Sequence, residues 1–393
     1  MNENEDVLEI IESGLLGFAT ADALGVPVEF TTRGLRESDP VSDMRGNGTY
    51  PVPEGTWSDD TSMTIATMDS IRESEGINYE DIMDKYCDWV FNSKYTATDQ
   101  VFDVGRTTGQ ALDNYYKTKI KAVECGGRED SSNGNGSLMR MLPIVYYLHY
   151  SDLDENTKTE IIDNYSSLTH AHEISKLGCR IYYDYMDGLL SGLTKEEAYD
   201  KLKYKEYPKY YSEDSILKYE RVLDGTLSTL NKEEAYDKLK YKEYPKYYSE
   251  DSILKYERIL NGNLGDLFKD EIKSTGYVVD TLEAAIWCNL TSNSYEEAVV
   301  KAVNLGDDTD TVGAVTGSIA GTIYGLEAIP ERWISKVRKL DELKSIATGY
   351  CSVVCDNNEN ISYRFIDPEV FSSNEELYEI VNKPKEEEKN NIL

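Results

Sequence analysis

The chain predicts an all-α fold, and three observations carry that expectation. Apolar residues recur at helical spacing in segment after segment. No sustained apolar/polar alternation marks a strand, and the Asn-Gly dipeptides are not flanked by strand-like runs. The 393 residues are 40% hydrophobic, enough for a real core in one large domain or two ordinary ones.

The helical segments follow in order. "DVLEIIESGLLGFATADALG" opens the chain with an apolar face. "MTIATMDSIRES", "EDIMDKYCDWVF", "MRMLPIVYYLHY", "EISKLGCRIYYDYMDGLL" and "TLEAAIWCNL" repeat the pattern. Between the last two lies a tandem duplication. Residues 188–224 recur as 225–261 with 32 of 37 positions identical. Solenoid repeats keep a packing pattern while surface positions drift. Here surface positions match too, so the pair reads as a recent duplication rather than an architectural repeat. Each copy predicts a helix, a break at Pro208 or Pro245, and a second helix ending at Gly225 or Gly262. The expected organisation is one domain over 6–365 containing this insert. A charged C-terminal tail, 366–393, is expected to be partly disordered.

The balance of 41 basic against 73 acidic residues leaves a net charge of −32. A field of that sign repels nucleic acid and anionic membranes, so neither is an expected partner. The longest uncharged run, Thr311 to Leu326, is too short and too rich in Gly and Thr to span a bilayer. The acidic start "MNENEDVLEI" does not read as a signal peptide. Six scattered cysteines read as free thiols in a reducing, cytoplasmic compartment, and three histidines argue against zinc. A monomer is the expected state.

The chemistry concentrates in "NLGDDTDTVGAVTGSIAG", where Asp307, Asp308 and Asp310 open an apolar helix. A helix N-terminus stabilises an anion by roughly 0.3–1 kcal/mol, which explains one aspartate and not three. A bound cation would explain all three. A second cluster, "GTWSDDTSM", places Ser58, Asp59, Asp60 and Thr61 at the start of another helix. Alone it reads as an N-cap. Together the two clusters supply the oxygen ligands that hard cations such as Mg²⁺ take. An EF-hand register from Asp308 fails, because Val312 and Ile319 fall where ligands are required.

Two stripes of small residues at i, i+4 accompany the clusters. Ser13, Gly17, Ala21 and Gly25 form one; Gly313, Gly317, Gly321 and Gly325 form the other. Their plain reading is close helix packing. If the two helices are neighbours, Asp22 or Glu29 approaches Asp308 and Asp310. "SSNGNGSLMRMLPI" offers a Gly-rich turn whose N–H groups suit a phosphate, "FDVGRTTGQAL" offers Asp103, and "LTHAHE" offers His170 and His172. Each of these three is weak alone, and a structural histidine is the default for either His.

In this order the segments "GFATADALGVPVEF", "GTWSDDTSM", "FDVGRTTGQAL", "NGNGSLMRMLPI", "LTHAH" and "LGDDTDTVGAVTGSIAGTIYG" resemble the ADP-ribosylglycohydrolase family. That family includes dinitrogen reductase-activating glycohydrolases and ADP-ribosylarginine and ADP-ribosylserine hydrolases. The resemblance implies a compact all-α fold with a binuclear site holding two Mg²⁺ or Mn²⁺. By the same resemblance Ser58, Asp59, Asp60, Asp308, Asp310 and Thr311 are the ligands, and Glu29 lies beside the metals. It further implies metal-assisted cleavage of an N- or O-glycosidic bond to ADP-ribose through an oxocarbenium-like transition state. The substrate is then an ADP-ribosylated protein or conjugate. Ser132, Gly134 and Asn135 would hold the diphosphate and distal ribose, His170 would touch substrate, and Glu29 or Asp103 would be the acid/base. The chain departs from the family pattern at Ser58 (usually Thr), Ala21 (usually Gly) and Asp307 (usually Gly). The rival readings are a crystallin-like structural protein, a non-catalytic ADP-ribose binder and a metal-dependent phosphoesterase. Loss of ligand carboxylates would favour the first two, and none is lost.

Overall fold

The structure is a computed structural model that describes residues 3–203, 248–260 and 262–356. Its helices are α1 (Glu3–Gly25), α2 (Arg33–Ser38), α3 (Asp59–Ser74), α4 (Tyr79–Asn92), α5 (Arg106–Thr118), α6 (Leu142–His149), α7 (Glu155–Ser167), α8 (Glu173–Leu190) and α9 (Lys195–Lys203). They continue as α10 (Glu250–Lys255), α11 (Glu257–Leu260), α12 (Val278–Leu290), α13 (Tyr295–Val303), α14 (Thr309–Tyr324), α15 (Glu331–Ile334) and α16 (Leu340–Asp356). Among the described residues there is no strand, only isolated bridges. The all-α expectation holds. No described helix is long and apolar enough to cross a membrane, and the six cysteines carry free thiols.

The two small-residue stripes are the centre of the packing. A Cβ on Gly17 would lie 2.6 Å from the Gly317 carbonyl oxygen, and one on Gly313 would lie 3.0 Å from that of Ala21. A Cβ on Gly321 would collide with the Ser13 carbonyl, and one on Gly25 with the backbone at Asp310. Partners therefore run 13 with 321, 17 with 317, 21 with 313 and 25 with 310. α1 and α14 are antiparallel in one unbroken register, backbone against backbone. The C-terminus of α1 lies at the N-terminus of α14, where the Thr309 hydroxyl donates to the Gly25 carbonyl at 2.8 Å. Tyr295 from α13 locks the pair by donating its buried hydroxyl to the Gly17 carbonyl at 2.6 Å.

One boundary differs from the periodicity. The segment "MRMLPIVYYLHY" becomes helical only at Leu142, with Met139 and Arg140 in a turn. Pro143 sits in the first turn of α6, where its missing N–H costs nothing; further inside it would break the ladder.

In the insert, Pro208 and Pro245 lie outside the described residues, as does the tail 366–393. What is described is the first half of copy one (α9) and the second half of copy two (α10–α11). These halves make one packed unit. Tyr199 of α9 donates to the Gly262 carbonyl at 3.0 Å and accepts from the Leu264 N–H at 3.2 Å. The Tyr248 hydroxyl donates to Asp163 at 2.9 Å, and that of Tyr256 to the Ile174 carbonyl at 2.6 Å. The Glu173 carboxylate at the start of α8 accepts from the Ser249 N–H at 2.9 Å. The second predicted helix is divided at Tyr256 and ends at Leu260, before Gly262.

Residues 211–223 repeat 248–260 with one change, Val222 for Ile259. Deleting 225–261 therefore keeps a copy of every docking side chain in the chain. The deletion protein is expected to fold with a thermal midpoint lowered by only a few degrees, since Ile to Val in a core costs about 0.5–1.5 kcal/mol. It should retain the function of the full chain, read by comparing melts and turnover. A soluble, folded and inactive deletion protein would show that the second copy serves the site.

Candidate active site

The register of α1 and α14 sets the site. After Gly25 a short 3₁₀ turn, Val26–Val28, delivers Glu29. Phe30 and Asp307 both take left-handed conformations, each with φ near 60°. They clip together: the Phe30 N–H donates to the Asp307 carbonyl at 2.6 Å and the Asp307 N–H to the Thr31 carbonyl at 2.7 Å. Glu29 is thereby held against the start of α14. Carboxylate oxygens of Glu29, Asp308 and Asp310 lie within 4.8 Å of one another. The left-handed backbone accounts for the Gly usual at position 307; Asp is among the few other residues that tolerate it. The Asp307 side chain is exposed and stays out of the cluster.

The second acidic motif arrives through Asp22, which the sequence reading allowed to approach Asp308 and Asp310. Instead this fully buried carboxylate accepts the Ser58 N–H at 2.9 Å, the Thr61 N–H at 3.1 Å and the Thr61 hydroxyl at 2.6 Å. Asp22 is a clamp on the N-terminus of α3, and burial, the dominant effect, lifts its pKa to about 7 against those bonds. Ser58 is indeed the N-cap of α3, and its hydroxyl also donates to Asp60 Oδ2 at 3.1 Å. The Thr311 hydroxyl donates to the same oxygen at 3.2 Å. The two motifs, 249 positions apart from Asp59 to Asp308 in sequence, meet at Asp60.

Burial drives the Glu29, Asp59, Asp60, Asp308 and Asp310 carboxyls above the usual range, Glu29 to about 10. Mutual repulsion adds to this for Glu29, Asp59, Asp60 and Asp310. Asp308 is held back by bonds from Asn135 and Thr311. Two unit charges about 4 Å apart repel by roughly 4 kcal/mol even at an effective dielectric of 20. That exceeds what a helix terminus returns. Glu29 Oε2, Asp60 Oδ1 and Asp310 Oδ2 are buried with no hydrogen-bond partner. Such orphaned acceptors are costly unless something else satisfies them. Carboxylate and hydroxyl oxygens with no nitrogen or sulfur among them are the donor set of a hard divalent cation, so the residues fit one.

A set of hydrogen-bonded polar residues adjoins the acidic centre. Asn135 donates its amide to Asp308 Oδ2 at 2.9 Å and to the Thr281 hydroxyl at 2.9 Å. Its backbone N–H donates to the Gly276 carbonyl at 3.0 Å, and the Val278 N–H donates to the Asn133 carbonyl at 3.1 Å. The 133–135 turn is thus zipped to the start of α12. Behind it lies His170, only 2% exposed, with Nε2 close enough that a Cβ on Gly134 would sit 3.4 Å away. Half-buried Ser132 lines the same wall, beside Gly127. The structure brings Ser132, Gly134, Asn135 and His170 together.

The state of His170 follows from two residues that the sequence reading passed over. Fully buried Arg140 donates to the Thr169 hydroxyl at 2.7 Å, and that hydroxyl lies 2.7 Å from His170 Nδ1. Arginine has no acceptor, so Thr169 must spend its own proton on Nδ1. Nε2 then carries the imidazole hydrogen and aims it at the Gly134 turn. Burial, reinforced by the Arg140 charge, lowers the His170 pKa to about 3. The ring is a neutral donor throughout the physiological range. His172 instead caps α8 and pairs with Asp130 at 3.1 Å.

Asp103 is half-buried and left-handed with φ 54°. Its charge acts on Glu29, Asp59, Asp60, Asp308 and Asp310. Between Asp103 and Glu29 stands Tyr50, which no motif flagged. Its hydroxyl faces both carboxylates, and burial with their charges holds the phenol far above its ordinary pKa.

The ADP-ribosylglycohydrolase family profile matches residues 3–359. The chain belongs to that family, one of hydrolases. It is 28% identical over 343 residues to the ADP-ribosylarginine hydrolase Tri1 of Pseudomonas putida (strain GB-1), covering 87% of this chain and 78% of that protein. It is 23% identical over 349 residues to the ADP-ribosyl-[dinitrogen reductase] glycohydrolase of Rhodospirillum rubrum, covering 84% and 94%. Among solved structures, an ADP-ribosylglycohydrolase-related protein complex superposes with a TM-score of 0.65 at 24% identity, covering 89% of this chain and 99% of that one. That likeness supports the fold.

Asp307→Gly tests the ligand register. Gly suits the left-handed backbone and the lost carboxylate is exposed, so the variant should melt at or slightly above the parent temperature. Activity should persist with altered divalent-cation affinity. Inactivation as complete as that of Asp308→Asn would mean that the ligand assignment is shifted by one residue.

Proposed function

We propose that the chain hydrolyses the glycosidic bond between ADP-ribose and an acceptor, an arginine side chain foremost, and releases intact ADP-ribose. The observation that carries this reading is the set of three orphaned, buried carboxylate oxygens beside the neutral donors Asn135 and His170. The names of the two relatives support an ADP-ribosyl linkage, and Tri1 supports arginine.

In this reading Ser58, Asp59, Asp60, Asp308, Asp310 and Thr311 hold two Mg²⁺ or Mn²⁺, with Glu29 completing the shell. When bound, the ions supply Lewis-acid stabilisation of charge at the reacting centre and lower the pKa of water. Asn135 orients Asp308 through its amide. The Nε2–H of His170 and the free N–H groups of the Gly134 turn donate to diphosphate and ribose oxygens. Neither carries a charge that substrate binding would have to desolvate. Asp103, outside the tight Glu29–Asp308–Asp310 group, is the residue we assign to passing a proton to the departing guanidino nitrogen. Glu29 is committed to the cluster.

Two experiments test the reading. In the first, peptides ADP-ribosylated at defined arginine or serine residues are incubated with the protein and Mg²⁺ or Mn²⁺, and products are weighed by mass spectrometry. Intact ADP-ribose is expected; AMP or free phosphate would mark a phosphoesterase, and no product a binder or structural protein. The second is a melt with and without chelator. Without cation, Asp310→Asn should melt about 2 °C above the parent because one repelling charge is gone. With saturating Mg²⁺ the order should reverse, since the parent gains binding energy that the variant lacks. A parent protein whose melting point and turnover ignore both chelator and cation would sink the metal assignment.

A further inference from the structure

Glu29 and Asp103 sit on two separate loops, and one side chain spans them. Thr49 fixes the first contact: its N–H donates to the Pro27 carbonyl at 3.0 Å and its hydroxyl to the Glu29 carbonyl at 2.6 Å. Gly48 makes the approach possible, with φ 101° and no room for a Cβ against the Pro27 carbonyl. Tyr50 is therefore pinned beside Glu29. Its ring packs on Phe102, with centroids 4.9 Å apart and planes tilted by 51°, and Phe102 precedes Asp103. The Tyr50 hydroxyl faces both acids. The neighbours Phe30 and Val104 are 68% and 36% exposed. The mouth is thus the Asp103 carboxylate and a phenol that ties it to Glu29 of the buried cluster, backed by a second aromatic ring, on a chain of net charge −32.

That combination suits a planar cation. A guanidinium offers five N–H donors in a fixed fork, pairs with carboxylates and stacks on aromatic faces. A serine hydroxyl is neutral, small and compatible with a wide range of surroundings. We propose that Tyr50, backed by Phe102, is the specificity-determining residue of the acceptor mouth, selecting guanidinium-linked over hydroxyl-linked ADP-ribose. The assignment rests on the hydrolase reading above and adds to it the residue that discriminates.

The test compares the parent chain, Tyr50→Phe and Tyr50→Ala on arginine-linked and serine-linked ADP-ribosyl peptides, with kcat and KM determined separately. Free ADP-ribose affinity is measured by calorimetry and folding by thermal melts. Tyr50→Ala should raise KM for the arginine-linked peptide about tenfold, the scale of a lost cation–π and hydrogen-bonding wall. The serine-linked reaction should fall by less, so the arginine-to-serine ratio of kcat/KM drops. Tyr50→Phe, which keeps the ring, should lie between. ADP-ribose affinity should stay within about twofold, since that moiety binds at Asn135 and His170. An unchanged arginine-to-serine ratio in a folded Tyr50→Ala protein overturns the proposal and leaves the hydrolase reading standing. So does a loss of ADP-ribose affinity as large as the rise in KM. A parent protein that cleaves neither peptide refutes both.

Discussion

The contact between α1 and α14 is the constraint on which the rest depends. At Gly17 and Gly317 the two backbones touch with no side chain between them. Helices normally pack 8–10 Å apart because side chains fill the gap; glycine, alanine and serine at every fourth position remove that spacer. The antiparallel register then leaves no freedom at the ends. Gly25 must meet Asp310, so Glu29 must emerge beside Asp308. A methyl group at Gly17 or Gly317 would push the helices apart along their length. It would also widen a carboxylate cluster whose oxygens lie within 4.8 Å of one another. Packing in this protein is therefore part of the chemistry.

Around that pair, buried polar residues transmit position from the core to the site. Asp22, in the last turn of α1, holds the first turn of α3, and so carries Asp59 and Asp60 to the N-terminus of α14. Arg140 does the equivalent on the other side. Its guanidinium lies between the Tyr86 and Tyr165 rings, within 5.3 Å and 4.9 Å of their centroids, and orders Thr169, which orders His170. Buried networks of this kind are favourable only when every member is satisfied. Here Asp22 meets three donors and Thr169 both accepts and donates, while the Arg140 Nε is left without a partner. Glu29, Asp60 and Asp310 differ in that their unpartnered atoms are carboxylate oxygens gathered in one acidic cluster, which is what the metal-binding proposal rests on.

Much of this was legible in the sequence because it is periodic or compositional. Small residues every fourth position announced the helix contact, and acidic residues opening apolar helices announced the site. Three things were hidden for physical reasons. Asp22 and Arg140 act through partners 36 and 29 positions away, which no local pattern encodes. Tyr50 lies in an irregular loop whose course depends on a left-handed Gly48 and a carbonyl on another segment. The third is the insert. Because its copies are identical over the block 195–221 and 232–258, sequence alone has no means of pairing α9 with α10–α11 of the second copy. The family resemblance supplied Asn135 and His170 as substrate contacts, yet gave no reason for the imidazole to be neutral; that comes from the Arg140–Thr169 relay.

The charge of the chain sharpens the functional argument. A protein of net charge −32 repels a diphosphate at long range, more strongly at low ionic strength. In the proposed reading, attraction for the ADP-ribosyl group then arises at short range, from the neutral donors of the Gly134 turn and His170 and from the cations that the aspartates would hold. The acceptor end obeys the opposite rule. A guanidinium on a protein surface is drawn toward the same field, and in the proposed reading toward Asp103 in particular. The long-range field and the local wall at Tyr50 thus both favour a cationic acceptor, so that the end of the substrate carrying the leaving group is the end that the protein attracts first.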